Sequence, residues 1–280
     1  MKRILSLLTL LVYVISPCLA FTVNRGVHGF LDPSFKVSRP SCIAQTDTNS
    51  GNNSAQFTAA NSETLSRASE AALQTGDIDF SWVGWVYLDS EAASLTVYNK
   101  TLAGVGEFQL RYDQPSDRFF FYVADLSTFD SVTANTFGAV TTGTWYFIST
   151  YHNAAANEIG ISVNNGAYDT TATAISPTTN TTALSFGSFG VINYFDGRMQ
   201  SFGFAKSILS AANITSFYNA GAGKKWCQLT STEQALFTGW WELGEASGNR
   251  ADSTANALTL TDNNTVTQGA GVTTGVCICP

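Results

Sequence analysis

The chain has 280 residues, 44% of them hydrophobic and 12% aromatic, which is enough apolar surface to build a core and excludes disorder or a collagen-like repeat. Charged residues make up only 12%, about half the usual share of ~25%, and Ser, Thr, Asn and Gly fill the polar positions, so a coiled coil or charged helical bundle is not expected. The formal net charge of -7 argues against a nucleic-acid partner, because that needs clustered Lys and Arg to displace phosphate counterions.

Met1 to Ala20 opens with Lys2 and Arg3, continues through an apolar stretch from Ile4 to Ile15, and ends Ser16-Pro17-Cys18-Leu19-Ala20. This order of charged, apolar and small residues is that of a secretory signal peptide cleaved after Ala20. The apolar run is shorter than the ~20 residues a membrane-spanning helix needs, and no later run is longer, so the mature chain is expected to have no membrane span. A lipid-modified Cys18 is the alternative, but Pro17 stands where lipoprotein processing sites carry a small residue. The mature chain keeps Cys42, Cys227, Cys277 and Cys279, an even, exported set that suggests disulfides with three possible connectivities. A zinc site is the rival reading, yet no second ligand lies two to four residues from Cys42 or Cys227, and His28 and His152 fall near no cysteine. Secretion or a cell-surface location is the expectation. Asn-x-Ser/Thr triplets at Asn52, Asn99, Asn180, Asn213 and Asn263 matter only in a host that glycosylates.

Residues 21 to 53 carry Pro33, Pro40 and a Thr-Asn-Ser-Gly-Asn-Asn run from Thr48, and read as an arm and linker. From Ser54 onward short apolar runs alternate with turn residues, the spacing of an antiparallel all-β sandwich or barrel. Expected strands cover Phe80 to Leu88, Phe108 to Tyr112, Arg118 to Val123 and Trp145 to Tyr151, the last two apolar on both faces and therefore suited to the middle of a packed sheet. Ile159 to Val163 alternates, and Asn165-Gly166 after it suits a tight hairpin turn. Further strands are expected at Ala183 to Phe186 and Gly197 to Phe204. One short helix follows Leu209: Ser210 caps it, Ile214, Phe217 and Tyr218 share a face, and Gly221 supplies a left-handed exit.

Four segments together resemble the laminin G-like, concanavalin A-like lectin/glucanase superfamily. They are Ser54-Ala55-Gln56-Phe57 with Glu63-Thr64-Leu65-Ser66; Gly76 to Leu88; Gly143 to Ile148 with the hairpin Val163-Asn164-Asn165-Gly166; and Tyr194 to Gln200 followed by Ile208 to Ile214 and Phe217 to Gly221. The resemblance covers about residues 54 to 226 and implies a jelly-roll sandwich of two antiparallel sheets. Members usually carry Ile-Asp-Glu where this chain has Met199-Gln200-Ser201, which puts a charge-dependent role for position 200 in doubt. Thr238 to Gly248, with Asp252-Ser253 and Leu258 to Asn264, looks like the start of such a domain placed at the end, which gives the chain a circularly permuted look. The expected division is therefore 1–20 signal peptide, 21–53 arm, 54–226 sandwich, 227–268 a segment completing the same sandwich, and 269–280 a Cys-containing tail. In that family the two ends of the domain meet, which implies a bridge from Cys42 to Cys227.

The superfamily includes laminarinase-type glycoside hydrolases, whose chemistry needs two carboxylates on one strand face, and no Glu-x-Asp-x-x-Glu run occurs here. Asp77 and Asp79 share a strand face and read as marking a turn into a strand. Glu242 and Glu245 would point to opposite faces. His152 beside Asn153 is the one candidate base; a lone histidine at a strand end reads as a solvated turn residue. No Gly-x-Ser-x-Gly is present. Trp82, Trp85, Trp145 and the Phe119-Phe120-Phe121 run read as core. Binding is the better reading, since loops on a rigid sandwich readily carry contacts. Asp125, Asp130, Asn153, Tyr194 and Asp196, in or beside expected loops, are the candidate ligand-binding residues for sugar hydroxyls. Related domains often hold calcium at the sandwich rim, but no Asp-rich loop marks a site. The leading expectation is an exported, non-catalytic recognition module for a carbohydrate or an extracellular protein. The alternatives are a structural or adhesive component of a surface assembly and a glycoside hydrolase.

Overall fold

Apolar runs bounded by turn residues form strands throughout the described residues, 52–102 and 105–273 of this computed structural model, all of which fall in the second of two units, Ala44–Pro280. The first unit, Met1–Ile43, lies outside the described residues, and with it the signal-peptide reading and Cys42; Cys277 and Cys279 lie outside them too.

In chain order the strands begin with β1 (Asn53–Phe57), β2 (Thr64–Arg67), β3 (Phe80–Leu88), β4 (Leu95–Leu102), β5 (Val105–Asp113), β6 (Arg118–Ala124), β7 (Phe129–Thr133) and β8 (Trp145–Asn153). They continue with β9 (Glu158–Val163), β10 (Asp169–Ala172), β11 (Leu184–Phe186) and β12 (Gly197–Ala205). After the helix α1 (Ala211–Tyr218) and the single turn α2 (Ser231–Gln234) come β13 (Gly239–Trp241), β14 (Thr261–Asn263) and β15 (Thr267–Ala270).

Two antiparallel sheets result. The first runs β10-β9-β8-β3-β12-β1-β15, with β13 also paired to β12, and the second runs β14-β2-β11-β4-β5-β6-β7. They form the sandwich that the strand spacing implies. The strand at Phe80 to Leu88 has the bounds read from its sequence, and β8, apolar on both faces, lies inside the first sheet.

Alternation along β3 explains why that sheet is buried twice. Phe80, Trp82, Val86 and Leu88 enter the core between the sheets, with Phe108, Leu110, Phe119 and Phe121 of the second sheet facing them. Val83 and Trp85 point the other way, into a second apolar cluster with Ile214 and Phe217 of α1 and with Trp226, Phe237 and Trp240. The close approach needs Gly203 on β12, where a Cβ would lie 2.5 Å from Phe237 and 2.7 Å from Trp240.

Two turns differ from the sequence reading. The hairpin after β9 turns on Asn164 (φ 53) and Asn165 (φ 58), one residue earlier than Asn165-Gly166, and Gly166 N closes it onto Val163 O at 3.0 Å. Ser210 does cap α1, in a reciprocal box with Asn213, but Asn219 (φ 48) is the first left-handed residue at the exit, ahead of Gly221.

The C-terminal segment belongs to both sheets. A bulge in β12 between Gln200 and Gly203 divides one edge of that strand: Gly197–Met199 pairs with β1, and Phe202–Phe204 pairs with β13. The chain then crosses, adding β14 to the edge of the second sheet beside β2 and β15 to the edge of the first beside β1. Leu243, Leu258, Leu260 and Val266 are fully buried in the main core on the way.

Gln200 locks this closure. Its fully buried amide donates from Nε2 to Asn53 O (2.7 Å) and Thr273 Oγ1 (2.6 Å) and accepts at Oε1 from Val272 N (2.7 Å). A neutral amide both donates and accepts; a carboxylate only accepts. Gln200→Glu is therefore expected to lower stability by about 1–3 kcal/mol through the orphaned Asn53 carbonyl. Chemical denaturation of the two proteins reads this, and equal midpoints would contradict it.

Candidate functional site

Among the described residues, no helix lies over the far face of the second sheet. On β5, Gln109 and Arg111 alternate with the core residues Phe108, Leu110 and Tyr112, and on β6, Phe120 and Tyr122 alternate with Phe119, Phe121 and Val123. Paired residues share a face, so Phe129 of β7, opposite Ala124, joins this outward set. The result is a groove of about 280 Å³ lined by Thr101, Arg111, Phe120, Tyr122, Asp125 and Phe129, among others, with Phe189 contributed by the loop between β11 and β12.

The floor is an aromatic row. Phe120 and Tyr122 lie 6.1 Å apart edge to face, and Tyr122 and Phe129 lie 5.1 Å apart. The Arg111 guanidinium sits 4.5 Å from the Phe120 ring centre and is held by Asp113 at 2.7 Å. Beside the row runs a polar chain. Tyr122 Oη and Thr101 Oγ1 share a hydrogen bond of 3.1 Å, Thr101 Oγ1 donates to Asn99 Oδ1 at 2.5 Å, and Gln109 Nε2 donates to the same oxygen at 3.4 Å. Burial raises the Tyr122 hydroxyl above its ordinary range, against the hydrogen bond with Thr101 and the Arg111 charge, so it stays neutral.

Of the residues read from the sequence, only Asp125 lines the groove. Its Oδ1 accepts from Ser127 N (2.7 Å) and Thr128 N (2.8 Å), and these backbone donors hold the carboxyl below the usual range. Asp130 instead ties the sheets together, accepting at Oδ2 from Thr173 Oγ1 (2.9 Å) and Ala174 N (2.8 Å). Asn153 closes the turn between β8 and β9 by accepting from Ala156 N at 2.9 Å. The strand registers put Asp125, Asp130 and Asn153 at one rim of the sandwich. Tyr194 and Asp196 precede β12 at the opposite rim, where Asp196 accepts from Ala59 N at 3.4 Å. The five candidates thus do not converge.

Two other readings are corrected. His152 is buried, not solvated: it is 1% exposed, stacks on Phe80 at 5.4 Å, and hydrogen-bonds through Nδ1 to Ile78 O at 2.9 Å. Phe120 is half-buried on the groove face, not part of the core that Phe119 and Phe121 enter. Asp77 and Asp79 do brace turns, accepting from Ser176 Oγ (2.9 Å) and Ala154 N (3.0 Å) respectively. Among the described residues no group of three or more His, Cys, Asp or Glu is placed to hold a metal ion. No helix among them is long and apolar enough to cross a membrane.

No family model matches the chain, and no curated protein matches it significantly. Among solved structures the chain is similar to a candidate carbohydrate-binding protein from Bacteroides ovatus ATCC 8483, with a TM-score of 0.59 and 14% identity, over 79% of this chain and 60% of that one. It is also similar to the native heptameric SAP-like pentraxin from Limulus polyphemus, with a TM-score of 0.54 and 9% identity, over 79% of this chain and 96% of that one. At these identities the likeness shows the fold alone, a jelly-roll β-sandwich. The chain spans about 60% of the length of the Bacteroides protein.

Proposed function

We propose that this protein is an exported, non-catalytic recognition module of the laminin G-like type that binds carbohydrate in the groove on the second sheet. The observation that carries the reading is the aromatic row Phe120, Tyr122 and Phe129 beside the hydroxyl, guanidinium and carboxylate groups of Thr101, Ser127, Thr128, Arg111 and Asp125 on an open sheet face. A sugar ring offers an apolar face to such a row and hydroxyls to its polar neighbours. The Bacteroides protein, itself a candidate carbohydrate-binding protein, supports the reading by analogy of fold alone. A bridge between Cys42 and Cys227 goes with export. Acid–base hydrolysis finds little support in the groove, where Asp125 braces its own turn and Asp113 pairs with Arg111.

A glycan array with and without EDTA tests the proposal. Wild-type protein is expected to bind in both conditions, and Phe120→Ala to bind about tenfold more weakly at unchanged melting temperature. Loss of binding with EDTA would move the site to a calcium-held loop. Silence toward glycans would favour an extracellular protein as the occupant, since Val191 (82% exposed) and Ile192 (52%) stand free on the loop that carries Phe189.

A further inference from the structure

The turn between β6 and β7 borders more than the groove. On the other side of that turn lies a second, more open concavity of about 390 Å³, lined by Asp125, Leu126, Ser127, Ala174, Ser176 and Thr178. Asp125 and Ser127 border both. Two large apolar side chains stand exposed on this single turn, one on each side: Phe129, 55% exposed, in the groove, and Leu126, 62% exposed, in the second concavity. The far wall is anchored from several directions. Thr178 N donates to Gly106 O (3.2 Å) and Ala124 O (3.3 Å), Ser176 Oγ to Asp77 Oδ2 (2.9 Å), and Ala174 N to Asp130 Oδ2 (2.8 Å).

Resting on the carbohydrate reading of the groove, we propose that the two concavities are consecutive subsites for one linear oligosaccharide, which crosses the turn at Asp125. The groove alone, at about 280 Å³, falls just below the roughly 300–1,000 Å³ range of ligand clefts, and the adjoining concavity lets a chain of several sugar rings lie across both. Asp125 is built for the crossing. Its Oδ1 is engaged by the turn, while Oδ2 has no hydrogen-bond partner among the described residues and accepts a sugar hydroxyl. The paired placement of Phe129 and Leu126 gives each subsite an apolar surface for a ring face.

Calorimetric titration of the full chain with glucose and with β-1,3- and β-1,4-linked gluco-oligosaccharides, from the disaccharide to the hexasaccharide, tests this. Affinity is expected to rise about tenfold or more between disaccharide and tetrasaccharide and then level off. Ala174→Trp, a substitution at an exposed position that fills the second concavity, is expected to remove this gain and to leave disaccharide affinity within about twofold. Leu126→Ser is expected to weaken the tetrasaccharide selectively, and unchanged thermal unfolding of both variants shows that they fold. Equal affinity across the series, or indifference of the tetrasaccharide to both substitutions, overturns the two-subsite inference while the groove reading stands. If no member of either series binds, both fall together.

Discussion

Trp241→Ala is expected to lower the free energy of unfolding by about 3–5 kcal/mol, the range for removing a buried Trp side chain. Trp241 is fully buried, lies 6.1 Å from Trp82 in a stacked arrangement, and meets Phe186 of the opposite sheet at 5.8 Å. Its Nε1 donates to Leu258 O at 2.7 Å, so the substitution leaves both a cavity and an unpaired buried carbonyl. Trp240, its neighbour, points the other way and packs on Phe237 (4.7 Å) and Trp226 (6.0 Å), so this three-residue strand sews the two apolar clusters together. Truncation after residue 235 removes β13, β14 and β15 at once. It leaves half of β12 and the outer edges of β1 and β2 unpaired, and such a chain is expected to aggregate. Urea denaturation followed by circular dichroism measures the first effect and solubility the second. A Trp241→Ala protein within 1 kcal/mol of wild type, or a truncated chain of full thermal stability, would show that the segment is ornamental.

A comparable loss is expected from Lys100→Met. Lys100 and Glu107 form an ion pair with no exposed side-chain surface. Glu107 Oε2 also accepts from Thr75 N (2.7 Å) and Thr75 Oγ1 (2.8 Å), and its Oε1 from Asn180 N (3.2 Å). Lys100 Nζ reaches Ser69 Oγ and Asn180 O, each at 3.3 Å. The pair thus pins two loops to β4 and β5. Removing the ammonium strands a buried carboxylate, which costs about 3–5 kcal/mol, whereas removing both charges costs far less because the desolvation of the ions disappears with them. The double variant Lys100→Met with Glu107→Gln keeps an acceptor for Thr75 and is expected to recover more than half of the loss. A double-mutant cycle by chemical denaturation reads the coupling. Effects that simply add would show that the two groups do not act as a pair.

The residues themselves announced the long inner strands. Phe80 to Leu88 and Trp145 to Tyr151 lie where their apolar runs imply, inside the first sheet, whereas Arg118 to Val123, equally apolar on both faces, keeps one face open at the groove; the helix declared itself through Ser210 and the spacing of Ile214 and Phe217. The short edge strands were illegible for a physical reason. Asp169–Ala172, Thr261–Asn263 and Thr267–Ala270 are polar, partly exposed and recruited through backbone hydrogen bonds, which carry no side-chain pattern. β4 was hidden by its irregularity: shifts of register between Thr96 and Tyr98 and between Asn99 and Thr101 break the alternation that would have marked it.

The groove shows the same boundary. Alternation in Arg118 to Val123 places Phe120 and Tyr122 on one face and Phe119 and Phe121 on the other, and that much belongs to the sequence. Which face receives a cover is a property of the assembled sheets. α1 and the segment around Trp226 to Trp240 cover the first sheet, and nothing among the described residues does the same over Phe120. Likewise Asp125, Asp130 and Asn153 are each plausible as loop ligands in isolation. Only the registers reveal that Asp130 and Asn153 brace the fold, because a carboxylate or amide takes its role from whichever donors the tertiary structure brings within reach. By itself the sequence determined the class of fold, the inner strands and the two-faced alternation; tertiary packing decided which of those faces stayed open to a ligand, since burial depends on what comes to lie against a strand and not on the strand alone.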